Sequence, residues 1–172
     1  MKTALIDASS AILLYKAELF EAVASAYDLA MAPAVYQEVT VSERLGAAYF
    51  DVACRTGRIR IASGGAPGQC GRELGRMGAG ERETLCLYAT SGVDFVILDD
   101  RKGANYCRIK AIPYINALLC PRILHWTGRL DRLHYVRAFD FLLKQGHYSF
   151  YVIEFAKKCN SQRLAFFLPE TV

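Results

Sequence analysis

The segment Val93 to Asp100, VDFVILDD, constrains the fold more than any other, because four apolar residues in succession, Phe95 to Leu98, run without alternation into a pair of acids. A strand of this kind is covered on both faces, as in parallel sheets; a half-exposed strand would alternate. Parallel neighbours need crossovers, usually helices, so the remaining chain should alternate short strands with helices. It does. Thr3 to Ile6 (TALI) is a short apolar run closed by Asp7, and the SSAILLYKAELFEAVASAY that follows repeats apolar residues at helical spacing, with Ser9 or Ser10 as its expected cap. DLAMAP predicts a second strand closed by Pro33, and AVYQEVTVSERLGAAYFDVACRTG one long helix or two, ending near Gly57.

Arg58 to Ala62 (RIRIA) alternates like a third strand, and the glycine-rich SGGAPGQCGRELGRMGAGE is expected to be an irregular loop or short helical turn. Glu81 opens a helix, ERETLCLYATSG, with Gly92 as its C-cap. RKGANYCRIKAI predicts an amphipathic helix leading into a fifth strand around Ala111 to Tyr114, and helical stretches follow near 115–124, 131–145 and 149–158. The expected class is α/β: three layers, α/β/α, around a mostly parallel sheet of about five strands, in one domain over 1–172 with a helical extension over 115–172.

With 172 residues, 53% of them hydrophobic, the chain can bury a core without disulfides or a structural metal. Its six cysteines form no C-x-x-C pair, which argues against a zinc ribbon and predicts reduced, mostly buried thiols. No apolar stretch approaches the ~20 residues of a membrane span, so a soluble cytoplasmic protein is expected. The net charge of +4 favours a polyanionic partner without identifying nucleic acid.

Five acids carry the chemistry. Asp7 closes the first strand, Glu38 follows the second by about one and a half helical turns, Glu81 opens a helix, and Asp99 and Asp100 end the most apolar strand. In open parallel sheets, sites lie beyond the carboxyl ends of the strands, so these acids are expected in one crevice. Like charges a few Å apart cannot all stay ionised unless a cation joins them. Oxygen ligands without His or Cys nearby suit Mg²⁺ or Mn²⁺ and not zinc.

The stretches LIDASS, MAPAVYQEV, GAGERETL and VILDDRKGA resemble, in order and spacing over roughly residues 3 to 115, the successive acidic motifs of PIN-domain proteins. The likeness is nearest to the prokaryotic group of VapC-like toxins. It implies a PIN-like fold and metal-dependent endoribonuclease activity on RNA, often as a homodimer and often restrained by an antitoxin. It makes Asp7, Glu38, Glu81 and one or both of Asp99 and Asp100 the Mg²⁺ or Mn²⁺ ligands, and Ser9 the small hydroxyl residue beside the first Asp. After residue 110, the segment AIPYINALLCPRILHWTGRLDR lacks the glycine-rich stretch of that group.

Each acid also has a plainer reading. Asp7 could simply cap the next helix, Glu38 could be a solvated helix residue, and Glu81 could be a favourable charge at a helix start. Glu83 is expected to face solvent, and strand alternation forbids Asp99 and Asp100 from pointing the same way without a bend. Arg82, Arg101, Lys102, Arg108 and Lys110 border the expected crevice and could hold RNA phosphates, with Asp100 favoured over Asp99 for direct metal contact. His125, His134 and His147 lie away from the acids, and Trp126, Tyr114, Phe139 and Phe141 are expected in the core or a dimer interface. Two alternatives stand beside the nuclease: a non-catalytic PIN-like module that binds RNA or protein, and a haloacid-dehalogenase-like phosphatase. The phosphatase would need an Asp where this chain has Ser9.

Overall fold

A computed structural model describes residues 1–63, 74 and 77–170. Its centre is a parallel sheet of five strands, β1 (Thr3–Ile6), β2 (Asp28–Met31), β3 (Arg60–Ile61), β4 (Phe95–Ile97) and β5 (Tyr114–Ile115), in the order β3-β2-β1-β4-β5. The apolar runs that marked β1 and β4 sit side by side in the middle, with Ala4, Leu5 and Ile6 opposite Phe95, Val96 and Ile97. All six are fully buried.

Between the strands come α1 (Ala8–Lys16), α2 (Phe20–Ala26), α3 (Pro33–Val39), α4 (Ala47–Arg55), α5 (Ala79–Ser91) and α6 (Arg101–Ile109), followed by α7 (Cys120–Trp126), α8 (Arg132–Gln145) and α9 (Phe150–Lys158). The chain builds outward from β1 through β2 to β3, then returns to the other side of β1 with β4 and β5. The strand order therefore reverses between β1 and β4. In a doubly wound sheet that reversal opens a crevice at the carboxyl ends, where Asp7 and Asp99 emerge.

Several boundaries differ from expectation. Asp7, not Ser9 or Ser10, caps α1, because its extended backbone turns the carboxylate onto the Ser10 amide. Of the one or two helices expected after Pro33 the structure has two, α3 ending at Val39 and α4 starting after Gly46, whose φ of +86° is incompatible with a right-handed helix. Tyr15 and Phe50 pack so tightly there that a Cβ would meet the Tyr15 ring at 2.9 Å. The third strand shortens to two residues, and the fifth starts at Tyr114. Gly92 ends α5 in the left-handed conformation, as expected. The loop expected over the glycine-rich segment lies largely outside the described residues.

The chain beyond α7 returns to the sheet. Phe167 packs edge-on against Phe95 in β4 with centroids 5.3 Å apart, and its carbonyl accepts the Tyr27 hydroxyl at 2.6 Å. The Arg122 guanidinium in α7 donates to the carbonyls of Ala156, Lys157 and Cys159, closing the C-terminal end of α9 with a cation. Cys54, Cys107, Cys120 and Cys159 are free thiols, but Cys86 is disulfide-bonded, a departure from the reduced state expected from spacing alone. Among the described residues no helix is long and apolar enough to cross a membrane.

Candidate active site

Each acid at the crevice is placed by the start of a helix. Asp7 leaves β1 and accepts the Ser10 amide at 2.7 Å through one oxygen and the Ser9 hydroxyl at 2.8 Å through the other. It is only 2% exposed. Burial, and after it the charge of Asp99, pushes its carboxyl up to about 7, against the opposing hydrogen bonds from Ser10 and Ser9.

Asp99 and Asp100 diverge, as alternation requires. Asp100 caps α6 by accepting the Gly103 amide at 2.7 Å and faces the same recess as Asp7. Asp99 turns to the other side, where its Oδ2 accepts the Ser10 hydroxyl at 2.6 Å and the Ala117 amide at 3.2 Å. Its Oδ1 is buried without a formed hydrogen bond among the described residues. Burial holds the Asp99 carboxyl above the usual carboxylate range, opposed by Ser10, Tyr148 and Ala117.

Glu81, in the first turn of α5, folds back to accept the Gly78 amide at 3.3 Å. Burial raises its carboxyl, and the charges of Asp100 and Glu38 add to that, while Gly78 and Lys102 oppose it. Glu38 lies on α3 with one oxygen 3.4 Å from Arg44. Its other oxygen lies 3.4 Å from where a Cβ on Gly80 would stand, and Val35 is at 3.1 Å from the same point. A Cβ at position 80 would crowd Val35, so the small residue suits the close approach of α3 and α5, which brings Glu38 near enough for its charge to act on Glu81.

Asp7, Glu81 and Asp100 line a narrow recess of about 10 Å³ together with Thr84, Leu85, Leu98 and Gly103. A family model described as a PIN domain matches residues 3–120. This chain belongs to the PIN-domain family. No curated protein and no solved structure gives a significant match. PIN domains are in general nucleases, so the coarse class is a hydrolase of nucleic acid, and the phosphatase alternative is left without support.

In this PIN domain the acids are near neighbours without being closed on one point. Among the described residues, no group of three or more His, Cys, Asp or Glu side chains converges tightly enough to hold an ion in this conformation. The reason is local: Asp7, Asp100 and Glu81 are each drawn onto a backbone amide of their own helix start, and Glu38 leans to Arg44. The donor chemistry nevertheless fits a hard divalent ion. It is all oxygen, burial raises the carboxyls of Asp7 and Glu81, and the buried Thr84 hydroxyl in the recess has no hydrogen-bond partner among the described residues.

The residues expected to meet substrate neighbour the acids along the chain. Ser9 is exposed and hydrogen-bonded to Asp7, while Arg82, Arg101 and Lys102 are exposed, with Lys102 acting electrostatically on Glu81. Arg108 donates to its neighbour Asn105 at 2.6 Å. His125 stacks on Tyr135 at 4.9 Å and contacts the Leu130 carbonyl, and His134 pairs with Asp131; both partners lie outside the acidic crevice.

Four residues at this PIN-domain site went unforeseen. Glu83 does not face solvent: it accepts the Ala34 amide at 2.6 Å and so caps the first turn of α3 from α5. Ser10 bridges Asp7 and Asp99. Thr84 is buried in the recess. Tyr148, beyond the residues the family model covers, lies near enough to Asp99 to feel its charge, with its buried hydroxyl making no hydrogen bond among the described residues: burial first and then the Asp99 charge raise its phenol far above the ordinary range. Helix spacing flagged none of these, since each depends on packing between distant segments.

Proposed function

We propose that this PIN domain is a metal-dependent endoribonuclease, with Asp7, Glu38, Glu81 and Asp100 holding Mg²⁺ or Mn²⁺ and Asp99 serving as a further ligand or as the group that orients Asp7. The single observation that carries this reading is the pair Asp7 and Asp99, buried and mutually repelling at the strand-order reversal, with Glu81 and Asp100 on the same recess. A bound divalent ion would neutralise phosphate charge and lower the pKa of the attacking water. The protein's own residues fix geometry: Ser9 and Ser10 hold Asp7, Glu83 holds the helix that carries Glu38, and Arg82, Arg101 and Lys102 offer cations to the RNA backbone.

The likeness to VapC-like toxins supports RNA as substrate, a homodimer in the cytoplasm and restraint by an antitoxin protein. Asp7→Asn, which keeps a good helix cap, tests the activity. Mn²⁺-dependent cleavage of single-stranded RNA by the wild type, removed by EDTA and reduced by about 10² or more in Asp7→Asn, is the expected result.

A second reading, a non-catalytic PIN-like module that binds RNA or protein, is favoured by the local capping that keeps the acids from converging. RNA retention without divalent ions and without turnover would favour that module and contradict the nuclease.

A further inference from the structure

We infer that Thr84 is a further binding residue of the acidic recess, its hydroxyl holding a water molecule in the hydration shell of the divalent ion. This rests on the metal-dependent reading above and adds a side chain that the acidic motifs do not contain. Thr84 stands three residues after Glu81 on α5, hence on the same helix face, and lines the recess together with Asp7, Glu81 and Asp100. It is 1% exposed, and its Oγ1 has no hydrogen-bond partner among the described residues.

That isolation is unusual within this fold. A threonine or serine in a helix ordinarily donates to the carbonyl one turn back. The hydroxyls of Ser25, Thr40, Thr56, Ser91 and Thr127 each do so to the residue four positions earlier. Thr84 does not. A buried hydroxyl without a partner destabilises the fold, and an apolar group of the same shape would remove that cost. The position nevertheless holds a threonine, in the lining of a recess whose other polar side chains are carboxylates. Mg²⁺ and Mn²⁺ keep several waters when few protein ligands reach them, and those waters need partners in the surrounding wall. A hydroxyl both accepts and donates, so it satisfies a coordinated water where another carboxylate would add charge.

The test is thermal denaturation of the full chain titrated with MnCl₂ in the absence of RNA, comparing wild type, Thr84→Val and Thr84→Ser. Thr84→Val should melt at or above the wild type without metal, while the Mn²⁺ concentration for half of the thermal shift rises about tenfold. Thr84→Ser, which keeps the hydroxyl, should respond to Mn²⁺ like the wild type. A structural threonine would behave oppositely, losing stability in Thr84→Val with the Mn²⁺ response unmoved, and that result overturns the inference. If Thr84→Val does not fold, Thr84→Ser against Thr84→Ala, differing only in the hydroxyl, decides on the same readout. A wild type that shows no Mn²⁺ response removes the metal reading and this inference with it. A wild type that responds, with Thr84→Val matching it, removes this inference alone.

Discussion

Asp7 and Asp99 stand at the ends of adjacent parallel strands and share one residue, Ser10, whose amide donates to Asp7 at 2.7 Å and whose hydroxyl donates to Asp99 at 2.6 Å. One small side chain thereby holds two carboxylates close enough for the charge of Asp99 to raise the carboxyl of Asp7. Without a cation this arrangement is a source of strain, and its pH dependence has a definite sign.

The unfolded-state value for Asp7 is the ordinary 3.8, and the folded value is about 7. A raised carboxyl contributes stability that is fully present below about 3.8 and is lost as pH rises through about 7. Each unit is worth about 1.4 kcal/mol, so the loss has a ceiling on the order of 4 kcal/mol. Glu81 and Asp99 shift in the same direction. Glu21, Asp51, Asp131 and Glu154 are held low by their partners and act oppositely, losing stability as acid protonates them. In EDTA, therefore, the melting temperature should fall between pH 5 and pH 8, and Asp7→Asn should flatten that decline. A melting temperature that climbs over the same interval would contradict the buried-acid account.

Glu83 ties α5 to the first turn of α3 through the Ala34 amide at 2.6 Å, and α3 carries Glu38. Glu83→Ala should cost about 1 kcal/mol of stability as a lost helix cap. Through the loosened α3 it should also weaken Mn²⁺ binding, while Glu83→Gln, which keeps an acceptor, should lose less of both. Chemical denaturation and Mn²⁺ titration of the two variants check the ordering. Equal losses in both would mean that the charge, and not the cap, is what matters.

Gly146 lies under the Tyr148 ring so closely that an added Cβ would fall 2.1 Å from it. Gly146→Ala should displace Tyr148 from Asp99, with a stability loss of about 1–3 kcal/mol from overpacking. Tyr148→Phe removes only the hydroxyl and should cost about 1 kcal/mol or less, yet both variants should reduce RNA turnover if the C-terminal segment helps to hold Asp99. Turnover at the wild-type rate in Tyr148→Phe would confine that residue to packing.

The parts of this fold that were legible in the sequence are those set by short-range pattern. The unbroken apolar run before Asp99 marks a strand covered on both faces, and TALI before Asp7 marks its neighbour; the structure pairs them at the centre of the sheet. Gly92 announced the end of α5 because few other residues adopt the backbone it needs. Of the five acids expected in one crevice, Asp7, Glu81 and Asp100 line one recess, whereas Glu38 and Asp99 are not part of its lining. What escaped depends on packing between segments far apart in the chain. Glu83 looked solvent-facing because its own helix says nothing about where α3 begins. Tyr148 looked remote from the acids because no local periodicity reports that the chain after α8 folds back over Asp99. Ser10 looked like a helix cap, and its hydroxyl instead meets Asp99, just past the end of β4.

The most direct test of the central claim is isothermal titration of MnCl₂ into the wild type and Asp7→Asn at pH 8, with folding checked by circular dichroism. The account predicts saturable Mn²⁺ binding by the wild type, weakened by about tenfold or more in Asp7→Asn. Absence of binding in a folded wild type, or the same affinity in both proteins, would contradict it.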